Sequence, residues 1–345
     1  MKIICLNNYS LDESQQAQEK KNLGDNHLWG VNYLEEYGIT ADILPFSGFK
    51  FLKKISSMYI TGDLDQQLRL IKILLRTKYD YIYTAHQNTI WLSAYLRKIF
   101  RFIPPIIAVL HSIPDIRNTV VKNMMLFHLG KIDRIICISR KNYKFLIDEA
   151  KFPKDKVFYL DWGVDLGFYK PKKQERKIIL SVGKTLRDYR TLCEAVKGLD
   201  VECIIVCDRE NVPELNCEEY PNVKFITEFI SYDSLFDLYN SAIAVVVPLE
   251  KVHRKYGITS VLEGLAMARP VIAAQNDYID VGLEMHGCGL TYKVGNAAAL
   301  RDDIFSFINN KKHTEERGER GRRLVEKYYD SARFGRELAT IIKKM

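Results

Sequence analysis

The chain has 345 residues, of which 47% are hydrophobic and 27% charged, with a formal net charge of +8. That length accommodates two domains with separate cores, and the balanced composition, free of low-complexity tracts and of repeats at 20–50 residues, excludes a disordered or solenoid chain. No apolar run reaches the roughly 18 residues that span a bilayer.

The opening MKIICLNNYS reads as a first strand, its apolar run being too short for a signal-peptide core. A helix is expected near Gly30 (GVNYLEEYG), then a strand in ADILPF. Asp63-Leu-Asp65 opens a helical stretch (LDQQLRLIKILL) in a polar turn, where carboxylates cap helices, and is read as a cap rather than a divalent-cation site. There follow strand YDYIYTA, helix TIWLSAYLRKIF, strand PIIAVLH, a helical stretch, and strand RIICIS with its helix. Between Lys50 and Lys144 there are 17 Lys and Arg against 5 Asp and Glu. Two parts of this excess, FKFLKKI (49–55) and YLRKIFRFIPP (95–105), interleave with aromatic residues and suit an anionic membrane surface, unless they are solvated basic helix faces. No nucleic-acid reader motif accompanies them.

The segment 157–176 (VFYLDWGVDLGFYKPKKQER) breaks the alternation and reads as a linker. Alternation then resumes with KIILSV, DYRTLCEAVKG, VECIIVC, NVKFIT, YDSLFDLYNSA, IAVVVP, SVLEGLAMA and PVIAA, followed by a charged helical tail. Strands alternating with helices predict two successive Rossmann-like α/β domains, with ligand expected in a cleft between them at the carboxyl ends of the strands. The seven scattered cysteines lack any CxxC pair and read as reduced thiols of a cytoplasmic protein.

Two strand ends carry chemistry. In SVGKTLRDYRTL, Gly183 permits a tight turn, and Lys184 and Arg187 precede the next helix, which makes an anion pocket. In KYGITSVLEGLAMARPVIAA, Ser260 and Glu263 have the spacing of a capping box, with the helix starting near Ser260. The same stretch places Gly257 and free N–H groups where phosphate binds, and a carboxylate there can accept two ribose hydroxyls. The residues alone leave the capping and ligand roles of Glu263 open.

Several segments, in order, resemble the retaining glycosyltransferases of family 4, which have the GT-B fold: HLWGVNYLEEYGI (27–39), GVDLGFYKP (163–171), GKTLRDYRTL, LYNSAIAVVVP with GITSVLEGLAMARPVIAA, and GCGLTYKVGNAAAL (287–300). The resemblance covers nearly the whole chain. It implies an N-terminal acceptor-side domain at 1–165, a nucleotide-sugar domain at 166–325, and a C-terminal helix at 326–345 that packs back on the first. It implies that Lys184 and Arg187 hold the donor diphosphate, and that the turn of Gly257, Ile258, Thr259 and Ser260 faces phosphate and sugar. The catalytic centre would hold Glu263, on the ribose hydroxyls, and His111, facing the transferred sugar. His27 and Gly30 fall on the acceptor side, and Phe229 is the candidate for contacting the base.

The chain also departs from the family pattern. Lys255 stands where the first glutamate of the E-x7-E segment belongs, and the glycine-to-glutamate spacing is one residue longer. Ala268 replaces a glycine, CDREN stands where a glycine-rich turn is expected, and Thr227-Glu228 replace a single glycine.

The implied reaction moves a sugar, with retention, from a nucleotide diphosphate sugar, UDP being the candidate nucleotide. The acceptor would be a glycan or lipid-linked glycan, as in polysaccharide biosynthesis, and neither metal nor cofactor is required. A sugar-nucleotide epimerase or a non-catalytic binder of sugar nucleotides or polyanions are the rivals. A nicotinamide dehydrogenase is disfavoured, since no GxGxxG follows the first strand.

Overall fold

The computed structural model describes residues 1–46, 64–111, 113, 119–214, 217–251 and 256–344. FKFLKKI, Asp63 and Lys255 lie outside the described residues. The chain divides into two compact units, residues 1–162 with 331–345, and residues 163–330.

The first unit is built on a six-stranded parallel sheet in the order β2-β1-β3-β4-β5-β6. Its strands are β1 (Lys2–Leu6), β2 (Thr40–Ile43), β3 (Tyr81–Thr84), β4 (Ile106–Leu110), β5 (Arg134–Cys137) and β6 (Val157–Tyr159). Ile3 pairs with Tyr81, Ile82 with Ile106, Val109 with Ile136, and Ile136 with Phe158. Because side chains alternate across a strand, the unbroken apolar run of β4 supplies both faces. Ile106, Ala108 and Leu110 join Ile4, Leu6 and Ile135 in one core, while Ile107 and Val109 join Ile3, Cys5 and Ile136 in the other.

Helices α1 (Leu11–Glu19), α2 (Leu64–Leu74), α3 (Trp91–Leu96), α4 (Thr119–Leu129) and α5 (Arg140–Lys144) connect these strands. Where GVNYLEEYG predicted a helix, Val31–Tyr37 is 3-10. Helix α1 escaped the sequence reading because it is almost wholly polar; Ser10 caps it by accepting from the Glu13 N–H at 3.1 Å. The segment expected to be a linker from Val157 instead begins as β6, hydrogen-bonded to β5, and the change of unit comes after Trp162.

The second unit carries six parallel strands: β7 (Ile178–Val182), β8 (Glu202–Val206), β9 (Val223–Ile226), β10 (Ala242–Val247), β11 (Val271–Ala274) and β12 (Gly289–Tyr292). Their order is β12-β11-β10-β7-β8-β9. In β12, Gly289 lies against the Val271 carbonyl, where a Cβ would stand only 2.1 Å from the oxygen. Helices α6 (Tyr189–Val196), α7 (Tyr232–Ser241), α8 (Ile258–Ala266), α9 (Ala297–Asn309) and α10 (Lys311–Tyr328) cover the sheet.

The tail helix α11 (Ser331–Lys343) returns to the first unit. There Phe334, Leu338, Ala339, Ile341 and Ile342 pack on the Ile3, Ile107 and Val109 face. Gly30 has φ +77°, and a Cβ on it would meet the Gly335 Cα at 3.0 Å, so the tight docking of α11 accounts for glycine at both positions.

Candidate functional site

In the second sheet the winding reverses between β7 and β10, and the carboxyl ends of these neighbours form the switch point where open α/β sheets take ligands. The loops leaving the two strands are joined. The Asp188 N–H donates to Pro248 O at 3.0 Å, the Glu250 N–H donates to Leu186 O at 3.1 Å, and Arg187 and Leu249 form an antiparallel bridge. Asp188 caps α6 by accepting from the Thr191 N–H at 3.0 Å.

These contacts hold Arg187 over Gly183. The Arg187 guanidinium donates to Thr185 O at 2.9 Å and to Ser260 Oγ at 3.1 Å, while its buried Nε meets no acceptor. A Cβ on Gly183 would lie 2.4 Å from Arg187 Nη2, so only glycine leaves room for this pose. Burial pulls the Arg187 pKa down, and Tyr189, Tyr239 and Glu263 pull it back. Arginine stays protonated through such shifts, so a positive group faces the crevice.

Helix α8 starts at Ile258 after Gly257, whose φ of +83° is suited to glycine. Ser260 therefore lies inside the first turn, and the capping box that its spacing to Glu263 allowed is not formed. Its hydroxyl donates instead to Val182 O at 2.8 Å, tying α8 to the end of β7. Glu263, one turn further on, is buried and accepts from Tyr169 Oη at Oε1 (2.6 Å) and from Tyr239 Oη at Oε2 (2.9 Å). Burial raises its pKa, and the two phenols and Arg187 oppose that rise. Glu263 is thus no cap: it is a fixed carboxylate beside Arg187.

Of the predicted donor residues, Arg187, Gly257, Ile258, Thr259, Ser260 and Glu263 come together around the start of α8. Lys184 is drawn toward the neighbouring strand end, where its Nζ pairs with Asp208 Oδ1 at 3.0 Å, both side chains being exposed. That carboxylate comes from CDREN, the stretch that replaces a glycine-rich turn. Phe229, beyond β9, is 93% exposed and has no packing role of its own.

In the first unit, His111 follows β4 and His86 follows β3, their ring centroids 4.7 Å apart, and Trp29 lies 4.8 Å from His111 and stacks on Trp162. His111 Nε2 sits 2.7 Å from Ala85 O, and since a carbonyl only accepts, Nε2 carries the hydrogen and Nδ1 the lone pair. Burial lowers the pKa of His111 and takes His86 to about 3, so both rings are neutral. His27 is lowered by burial too, and its carbonyl accepts from Tyr9 Oη at 2.7 Å. A neutral His111 can accept from a sugar hydroxyl but has no proton to give a leaving group.

The sequence reading missed Tyr169, Tyr239, Asp208 and His86. The two tyrosines lie in motifs already singled out, GVDLGFYKP and LYNSAIAVVVP, yet nothing in a one-dimensional pattern says that both hydroxyls point at one carboxylate. Among the described residues no three His, Cys, Asp or Glu side chains form a metal-ligand set, and no helix is long and apolar enough to cross a membrane.

Comparison with known proteins gives two family matches: Glycosyltransferase Family 4 over residues 49–168 and Glycosyl transferases group 1 over residues 168–324. No curated protein matches the chain. Among solved structures, a sucrose-phosphate synthase from Thermosynechococcus elongatus is similar, with TM-score 0.76 at 15% identity, covering 100% of this chain and 99% of that one. A glycosyltransferase from Rickettsia africae gives 0.74 at 18% identity over 99% and 98% of the two chains. The Anabaena protein HepE in complex with UDP and glucose gives 0.74 at 17% identity over 100% of both. At these identities the likeness concerns the fold, two Rossmann-like domains of the GT-B type.

Proposed function

The chain belongs to the glycosyltransferases, matching family 4 in its first part and group 1 in its second, and on that footing we propose that it transfers a sugar, with retention, from a UDP-sugar to a glycan or lipid-linked glycan. The observation that carries this reading is the switch-point cluster: Arg187 held over Gly183 and bonded to Ser260, with Glu263 one turn along the same helix. The crevice offers a cation and a helix N-terminus to a diphosphate, and a carboxylate to ribose hydroxyls. The Anabaena relative's complexes with UDP and with UDP-glucose support the choice of nucleotide.

In this reading the bond from C1 of the sugar to the β-phosphate oxygen breaks while the acceptor oxygen bonds to C1 on the same face. The acceptor's hydroxyl proton passes to the departing phosphate oxygen. Negative charge grows on the β-phosphate, where Arg187, Lys184 and the N–H groups of Gly257 to Ser260 stabilise it, with no metal needed. His111 Nδ1 accepts from a hydroxyl of the transferred sugar, Phe229 lies against the base, and His27 and Gly30 border the acceptor side. The decisive experiment screens nucleotide sugars by nucleotide release, with wild type and Glu263→Ala side by side. Release from one donor by wild type, abolished in the variant, supports the reading; equal turnover by both overturns the role of Glu263.

A lipid-linked acceptor implies work at a membrane surface, and one face of the first unit suits it. Ile99, Phe100 and Phe102 are 72%, 45% and 40% exposed on the turn after α3, next to Lys98 and Arg101. A neighbouring cavity of about 550 Å³ adds Arg76 and Lys78. Exposed aromatics among cations bind anionic interfaces. Vesicles containing phosphatidylglycerol should float the protein in low salt and release it in high salt; failure to float removes this part of the proposal.

A further inference from the structure

We propose that Tyr169 and Tyr239 are positioning residues that hold Glu263 as the acceptor for the two ribose hydroxyls of the bound nucleotide, an inference that rests on the donor reading above. Glu263 is buried on α8, and the described side chains that meet it directly are two neutral phenols, one on each carboxylate oxygen. Both tyrosines are buried themselves, at 1% and 0% exposure, and they approach from separate elements. Tyr169 lies on the segment by which the chain begins the second unit, and Tyr239 is in the last turn of α7.

An ionised carboxylate has about four lone-pair positions, two on each oxygen. Each phenol occupies one, so each oxygen retains one for a further donor. A vicinal diol presents two donors at about the spacing of the two carboxylate oxygens, which is the ligand chemistry this arrangement fits. A buried carboxylate whose hydrogen-bond donors are both neutral, with only the nearby charge of Arg187 to offset its desolvation, is an expensive way to fill a core; an apolar residue of the same volume would cost less. The anchoring of Tyr169 is also close. Its carbonyl and that of Ala266, on α8 itself, both accept from Arg322 Nη1, at 2.8 and 2.7 Å. Phe168 and Phe236 pack edge-on against its ring. These contacts fix the backbone and ring of the residue whose hydroxyl meets Glu263 Oε1.

The test is isothermal titration of UDP, GDP and ADP, each paired with its 2′-deoxy form, against wild type, Tyr169→Phe, Tyr239→Phe and the double variant. Each substitution deletes one oxygen and keeps the ring, and melting temperature checks the fold of each. Wild type should bind one nucleotide at least 10-fold tighter than its 2′-deoxy form. Each single variant should lose affinity for the ribonucleotide and reduce that ratio, and the double variant should bring it within about 2-fold of unity. A purely structural role weakens both nucleotide forms alike and leaves the ratio unchanged, and that outcome overturns the proposal in whichever of the variants folds. If wild type binds none of the three nucleotides, the donor reading itself falls and takes this inference with it.

Discussion

Gly183→Ala isolates the geometry on which the site depends. The added Cβ would stand 2.4 Å from Arg187 Nη2, 2.5 Å from Nε and 2.6 Å from Cζ. Ordinary contact begins near 3.4 Å, so the guanidinium must move outward by about 1 Å, which breaks its aligned bonds to Ser260 and Thr185. The φ of +155° at this position adds backbone strain of about 1–3 kcal/mol for a residue with a side chain. At about 2–4 °C per kcal/mol, melting of the second unit should fall by roughly 2–12 °C. A displaced Arg187 forfeits a charged contact to phosphate worth about 1.5–3 kcal/mol, roughly a 10- to 150-fold loss of nucleoside diphosphate affinity. Because the lost contact is that of Arg187, Gly183→Ala/Arg187→Ala should bind no more weakly than Arg187→Ala alone, which a double-mutant cycle by calorimetry measures. If Gly183→Ala binds as wild type does, or if the two losses simply add, the proposed dependence of the phosphate site on this pose is wrong.

Asp208→Asn should leave stability within about 0.5 kcal/mol, since the Lys184 pair is exposed, and should tighten diphosphate binding a few-fold by releasing Lys184; weaker binding in titration would count against a phosphate role for that lysine. The first unit holds His86 and His128 neutral through burial, with pKa values of about 3 and 4. The unfolded chain takes up these protons below about pH 6.5, so stability is complete above that pH and is lost as pH falls toward the folded values. At pH 5 the loss is about 2 kcal/mol for each histidine. In the second unit Asp303, raised to about 6 by burial and neighbouring acids, has the opposite sign and recovers part of it. Urea midpoints at pH 7 and pH 5 should show a net decrease, reduced in His128→Gln; equal midpoints would contradict neutral burial. Gly318→Ala places a Cβ 2.2 Å from the Ala268 carbonyl oxygen, where backbone rather than a flexible side chain must give way. It should destabilise the fold by about 1–3 kcal/mol, and a smaller shift of the denaturation midpoint would mean that α10 can move off the end of α8 at little cost.

The sequence by itself determined the architecture. Strands such as IIAVL and AIAVVV are apolar on both faces, and only a parallel sheet covered on both sides buries them, so their alternation with helices announced two Rossmann-like units. It also singled out two strand ends that the fold brings together, because a glycine, a lysine and an arginine after one strand and a glycine before a helix after another are local signals. It did not give β6 or the polar helix α1: a three-residue strand and a helix stabilised by its cap carry little periodicity. Nor could it decide what Glu263 does, since Ser260-Val-Leu-Glu263 has a capping-box spacing and the residues left both roles open. The tertiary structure decided that point. Gly257 starts the helix three residues before Ser260, which turns the serine toward β7 and leaves the carboxylate to Tyr169 and Tyr239, 94 and 24 residues away in sequence. Local pattern fixes which groups a strand end carries. Which of them meet, and in which direction their lone pairs point, depends on contacts between segments that no local pattern records.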